Sequence, residues 1–290
     1  MEPSLSDLLK VLELERLEIN IFRGTSRDIG SPQVFGGQVL GQALRAAYAT
    51  VDSDRSAHSL HAYFLRRGDV NAPIVYFVDR SRDGQSFTSR RVTAIQHGEQ
   101  IFHMSASFQT EQPGIEHQTK MPDVPPPEQS LPETSLAVRM KLDELPAKAR
   151  QYFTSARPFQ FRVADSANAP HAKDALPVQN LWIRAVDKLP DDAVLHGCLL
   201  AYVSDFYLLS TATLQHPKLL ESGRRFFASI DHAMWFHRPL RVDEWFLVSS
   251  VSPSASGSRG FACGRIYARD GRLVASTAQE GLIRLLDTPS

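Results

Sequence analysis

Apolar residues recur at helical spacing just after Gly36. Val39, Leu40, Ala43, Leu44 and Ala47 form one stripe within FGGQVLGQALRAAYATV, the three- and four-residue recurrence of a helix with a buried face. A second run, HGCLLAYVSDFYLLSTA from His196, is apolar nearly throughout. Downstream the period changes: SFTSRRVTAIQ and SRGFACGRIYA alternate and are rich in β-branched and aromatic residues, as half-buried strands are. Asp270-Gly271 between two such runs signals a hairpin turn. A leading segment, SLSDLLKVLELE, and residues 137–153 add candidate helices with no chemical motif.

The two halves of the chain repeat one another. HAYFLRR from His61 aligns with HAMWFHR from His232 at an offset of 171 (232 − 61), and IVYFVDRS from Ile74 continues onto WFLVSSVS from Trp245. QIFHMSAS from Gln100 falls on RLVASTAQ from Arg272 at 172, and the helical runs from Phe35 and His196 align at 161 (196 − 35). Each half therefore reads as one long helix followed by several strands. Between them, seven of the 18 prolines fall in 111–146, which excludes a central strand or long helix there. The expected organisation is an N-terminal unit over 1–110, a proline-rich linker over 111–150 and a C-terminal unit over 151–290. The fold class is α+β, a curved antiparallel sheet around a central helix, present in tandem.

Length and composition fit this plan. The 290 residues are 42% hydrophobic and 22% charged, with 32 basic residues against 32 acidic, so the formal net charge is zero. That balance argues against nucleic acid or an anionic membrane as partner. Cys198 and Cys263 are the two cysteines, far apart and in apolar surroundings; they read as reduced thiols rather than a disulfide framework. The acidic, amphipathic start is unlike a signal peptide. The stretch from Gly197 to Thr213 approaches membrane-spanning length, but Ser204, Asp205, Ser210 and Thr211 interrupt it without flanking basic anchors. A buried core helix is expected instead of stable membrane insertion, and a cytoplasmic location follows.

Asp205 stands out because it is the only charged residue between Asp192 and Lys218. Taking a carboxylate out of water costs several kcal/mol unless donors or charges meet it. It is either a structural acid or a functional one, and a carboxylate held out of water is also a stronger base. Other candidates have simpler explanations. His58 and His61 fit packed strand positions; His232 and His237, five apart, point to opposite faces and exclude a shared metal site. There is no G-x-S-x-G elbow for a serine hydrolase, and Gly36, Gly37 and Gly41 fit helix packing better than a dinucleotide loop. Arg66, Arg67, Arg90 and Arg91 are candidates for phosphate contacts or solvated strand edges.

The strings VFGGQVLGQAL, SLHAYFLRRGD, DGQSFTSRRV, IDHAMWFHRP and ASTAQEGLIR, spanning residues 22–284 in order, resemble the acyl-CoA thioesterase II family. The resemblance implies a tandem double hotdog fold, an acyl-CoA substrate hydrolysed to free fatty acid and coenzyme A, and no cofactor or metal. It implies assembly of double hotdogs into a homodimer or homotetramer. Its catalytic set falls here on Asp205 of YVSDF, Ser229 of FFASIDHAMWF and Gln279 of STAQEG, with Ser where Thr also occurs. Asp205 would accept a proton from the attacking water while Ser229 and Gln279 orient that water. At the repeat offsets their counterparts are Leu44, His58 and Ser107, so the first half lacks the triplet and one site per chain is expected. Two rival readings share the fold: a hotdog enoyl-CoA hydratase using Asp191 and His196 of DDAVLH, though without the Asn-Pro of that motif, and a non-catalytic acyl-CoA-binding module.

Overall fold

A computed structural model describes residues 1–31, 33–133, 147, 150, 156–164, 178–216 and 225–285. The candidate helix over 137–153 lies outside the described residues, apart from isolated positions. The first half comprises α1 (Pro3–Leu12), β1 (Glu15–Glu18), β2 (Ile21–Gly24), α2 (Gly36–Tyr48), β3 (Arg55–Phe64), β4 (Ile74–Asp83), β5 (Phe87–Gln96) and β6 (Glu99–Thr110). A short strand, β7 (Leu131–Pro132), lies within the crossing segment. The second half contains β8 (Phe159–Val163), β9 (Val178–Ala185), α3 (Ala193–Ser204), β10 (Arg225–Ser229), β11 (Asp231–Phe236), β12 (Phe246–Ser256), β13 (Arg259–Ala268) and β14 (Leu273–Leu285).

The fourteen strands among the described residues belong to one sheet, ordered β1-β2-β4-β5-β6-β3-β11-β14-β13-β12-β9-β8-β7, with β10 also paired to β14. The two halves join through β3 and β11, antiparallel with Leu60 opposite Met234, so the repeat units share one continuous sheet. The Asp270-Gly271 turn connects β13 to β14 with Gly271 at φ 91°, a conformation that glycine reaches without a Cβ penalty.

The two helices pack directly on one another, antiparallel, with Gly41 against the Cys198 carbonyl and Gly37 against that of Tyr202. A Cβ on Gly37 would drive into the Tyr202 oxygen; the crossing requires a residue without a side chain there. Counted from their first residues, Gly36 and Ala193, the helices align at 157 (193 − 36), one turn away from the 161 of the apolar runs. By that count the position matching Asp205 is Tyr48, by the apolar runs Leu44, and neither is a carboxylate.

Helix α3 starts at Asp192, whose Oδ1 accepts from the amides of Val194 (2.9 Å) and Leu195 (3.1 Å), satisfying two orphan donors of the first turn. By length and composition the 193–213 segment is apolar enough to cross a membrane. Eight of the helix's 12 residues are nevertheless buried within the protein, and they join α2 and the inner sheet faces in one core. At about 1.5–3 kcal/mol for each large apolar side chain enclosed, that core explains the composition. The described part of the linker, up to Glu133, lies along the outside of the second unit. Trp182 Nε1 donates to the Pro125 carbonyl at 2.8 Å, while Met121 and Val124 cover Trp182, Trp245 and Tyr267.

Candidate active site

Asp205 is not inside α3 but caps its C-terminus, with φ −80° and ψ −13°. Two residues on, Tyr207 takes the left-handed conformation at φ 65°, costly for a bulky side chain. Its hydroxyl donates to Glu133, a buried residue within the proline-rich crossing. Glu133 also accepts from both terminal nitrogens of Arg157, Nη1 at 2.7 Å. Burial pushes the Tyr207 hydroxyl up to about 12, so it remains a donor at neutral pH. Between them Phe206 packs on Phe35 (ring centroids 4.3 Å apart) and on Phe161 (5.5 Å). The turn that presents Asp205 is thus held by a bidentate ion pair and aromatic contacts from three chain segments. No sequence pattern pointed to Glu133, Arg157 or Tyr207, because their pairing spans 74 positions.

Ser229 and Gln279 come to Asp205 from the sheet. β10 and β11 both pair with β14, and the strand is interrupted at Ile230, whose amide donates to the Glu280 carbonyl (2.9 Å). The Glu280 amide in turn donates to Asp231 Oδ1 (2.7 Å). That irregularity puts Ser229 at the end of β10, near Gln279 of β14. Gln279 is fully buried, and its Nε2 donates to Asp205 Oδ1 at 2.8 Å and to Ser229 Oγ at 2.7 Å. Both amide hydrogens are then committed. Ser229 Oγ, having accepted, keeps its O–H for another acceptor.

The other carboxylate oxygen, Asp205 Oδ2, faces the start of α2, where a Cβ on Gly36 would lie 2.7 Å from it. Gly36 and Gly37 are the first residues of that helix; their amides precede the first intrahelical acceptor, and the helix dipole favours negative charge there. A cavity of about 230 Å³ opens at the same place. Gly36, Val39 and Phe64 from the first half line it together with Ala228 and Ser229 from the second, and Arg66 and Arg67 border it too. Both units therefore build one pocket.

The other candidates fall elsewhere. His58 Nε2 meets Ser107 Oγ at 2.8 Å, a neutral pair in the first half; burial holds the His58 ring below its usual range. Replacing His58 or Ser107 with alanine is expected to leave thioester turnover within about threefold of wild type, measured as thiol release. Asp191 and His196 do not converge. Asp191 is exposed and paired with Arg241 at 2.7 Å, whereas His196 is buried and its Nδ1 accepts from the Val242 amide at 3.2 Å. Arg90 is buried and spends its donors on Thr50, Asp83 and backbone carbonyls, which removes it as a phosphate ligand. Cys198 is a buried thiol pushed up to about 12 by desolvation, inert as a nucleophile. Among the described residues no group of three His, Cys, Asp or Glu could hold a metal ion.

One extended antiparallel sheet packed on two antiparallel core helices is the arrangement of a tandem hotdog protein. Family profiles agree: "Acyl-CoA thioesterase" matches residues 148–282 and "Acyl-CoA thioesterase N-terminal domain" matches 24–109. The chain is 43% identical to acyl-CoA thioesterase 2 of Haemophilus influenzae, covering 98% of this chain and 99% of that protein. It is 40% identical to human acyl-coenzyme A thioesterase 8, over 95% and 88% respectively. Among solved structures, acyl-CoA thioesterase II from Mycobacterium marinum superposes with a TM-score of 0.81 at 45% identity, covering 96% of this chain and 98% of that one. A hot dog fold protein of Alicyclobacillus acidocaldarius, only 18% identical, still gives 0.76, which speaks to fold alone. The chain belongs to the acyl-CoA thioesterase family and is a thioester hydrolase.

Proposed function

We propose that the protein hydrolyses fatty acyl-CoA to free fatty acid and coenzyme A, using one water activated by Asp205. The observation that carries this reading is the single amide nitrogen of Gln279 donating to both Asp205 and Ser229 beside the cavity. Gln279 fixes one carboxylate oxygen, which leaves Oδ2 to accept a proton from water, while the free Ser229 hydroxyl orients that water. As the O–H bond of the water breaks, its proton passes to Asp205 and its oxygen bonds the thioester carbonyl carbon. The oxygen of the carbonyl gains negative charge near the first amides of α2, which suit an oxyanion. Collapse breaks the C–S bond, and the departing thiolate takes up the proton. Thiolate is a good leaving group, so the absence of a strong acid at the site fits the chemistry.

Arg66 and Arg67 stand where the phosphates of the coenzyme would lie if the acyl chain entered the cavity. Arg66 is held by the Gln100 carbonyl (2.7 Å) and Glu99 (3.0 Å), and Arg67 rests over the Phe226 ring (4.9 Å). Arg67→Ala is expected to raise KM for acyl-CoA by roughly 5- to 30-fold, about 1–2 kcal/mol of lost phosphate contact. It should leave KM for the matching acyl-pantetheine, which lacks the nucleotide phosphates, nearly unchanged. The exposed Tyr63 and Trp235 on the joined strands β3 and β11 support assembly into a dimer or tetramer, and the two free thiols go with a cytoplasmic site of action.

The experiment that tests the function is thiol release across a panel of saturated acyl-CoAs from short to long chains. Turnover supports the reading. Saturable binding with no thiol released across the panel would make this an acyl-CoA-binding module, and loss of enoyl absorbance from an unsaturated substrate without thiol release would make it a hydratase.

A further inference from the structure

Gln279 can work only in one of its two amide orientations. If Oε1 and Nε2 exchanged places, an oxygen would face the Asp205 carboxylate and Ser229 would lose its donor. The two orientations have nearly the same shape, so packing alone does not choose between them. Something must hold Oε1 from behind, yet Oε1 is buried and has no hydrogen-bond partner among the described residues.

One side chain nearby has the complementary deficit. His232 is 1% exposed, and its Nδ1 is likewise buried without a partner. The register of β11 against β14 pairs Ala233 with Ala278, which places His232 and Gln279 on adjacent cross-strand positions pointing to the same inner face. Burial lowers the basicity of the imidazole and outweighs the Asp205 carboxylate, a hydrogen bond with the Gln279 side chain and the Asp231 carboxylate, so the ring is neutral and carries one proton. The other nitrogen, Nε2, meets Ser204 Oγ at 3.0 Å, and Ser204 immediately precedes Asp205.

Two tautomers are available. With the proton on Nε2, His232 donates to Ser204, and Ser204 also keeps its 2.9 Å bond to the Ala201 carbonyl. That choice sets two acceptors, Nδ1 and Oε1, against each other in a dry interior, where each unmade bond carries the full desolvation penalty of its atom. With the proton on Nδ1, the ring donates to Oε1 and Nε2 accepts from the Ser204 hydroxyl; the loss is one neutral bond to Ala201, smaller than the cost of two buried acceptors left facing each other. The second arrangement wins. We infer that His232 is a positioning residue for the reaction: its Nδ1–H locks the Gln279 amide so that Nε2 serves Asp205 and Ser229, and its Nε2 ties the same unit to the end of α3. This rests on the reading of Gln279 as part of the active site.

The test is a double-mutant cycle on thiol release, run with a tautomer measurement on the unaltered protein. His232→Leu, which keeps bulk and removes the donor, should lower kcat about 10-fold, the worth of one buried hydrogen bond, with KM within about twofold. His232→Asn, whose amide can replace the Nδ1–H, should recover most of that loss. In a Gln279→Ala background His232→Leu should change kcat by less than about twofold, because the group it orients is gone. Full additivity of the two substitutions, or Asn no better than Leu, would overturn the inference. Nitrogen-15 shifts of the His232 ring should show the neutral Nδ1–H form; the Nε2–H form would overturn it even if the variants fail to fold. Should Gln279→Ala alone keep full kcat, the underlying reading of the site is what fails.

Discussion

Asp205→Asn is expected to lower kcat by about 10²- to 10⁴-fold, the range spanned by a positioned general base, with little change in KM. The substitution is nearly isosteric. Its Oδ1 can still accept from Gln279 Nε2, which lies 2.8 Å from the present carboxylate oxygen, so the constellation should stay assembled. What disappears is an atom able to take the water's proton. The caps and contacts that hold the turn, Tyr207 on Glu133 and Phe206 on Phe35, do not involve the carboxylate, so the thermal midpoint should move little. A proportional loss in kcat and in folded fraction would instead make Asp205 a structural acid. Thiol release under saturating substrate, paired with a melting curve, separates the two.

Gly37→Ala should be the most destabilising single methyl in the fold. The added carbon would collide with the Tyr202 carbonyl and with the ring of Phe35, and neither a helix backbone nor a packed aromatic can step aside cheaply. The gain from replacing helical glycine by alanine is only about 1 kcal/mol. Forced separation of two core helices costs more, about 3 kcal/mol or above, which in a chain of this size lowers the melting temperature by roughly 5 °C or more. The control is Gly197→Ala on the partner helix, where the nearest atom to a new Cβ is the Tyr48 hydroxyl at 4.0 Å. That change should be neutral or slightly stabilising. Equal melting temperatures for the two variants would refute the crossing. Because Gly36 abuts Asp205 at the same crossing, Gly37→Ala should also cost activity in whatever fraction remains folded.

Much of this architecture is visible in the chain. Alternation marks β5 and β13, Asp270-Gly271 marks the hairpin between β13 and β14, and the repeat of HAYFLRR in HAMWFHR marks β3 and β11, the strands through which the halves join. Periodicity works there because strand residues face one environment on each side. It fails for α3, whose apolar residues surround the helix and give no phase, so its packing on α2 shows only in the contacts of Gly37 and Gly41. It fails again at the helix end, where an apolar continuation through Phe206, Tyr207 and Leu208 conceals the C-cap and the left-handed Tyr207. The contacts among Glu133, Arg157 and Tyr207 leave no local trace, since an ion pair is chosen by geometry across the fold. In the sequence His232 is legible only as a strand histidine facing away from His237. Its relation to Gln279 needed the β11–β14 register and the matching pair of unpartnered buried atoms.

A single turnover in water labelled with oxygen-18, with enzyme in excess over acyl-CoA, tests most directly whether Asp205 activates water. Direct attack of that water predicts one labelled oxygen in the fatty acid from the first turnover and none in the peptide containing Asp205. Label in Asp205, or first-turnover acid carrying only ordinary oxygen, would show that the carboxylate itself attacks the thioester and would contradict the account.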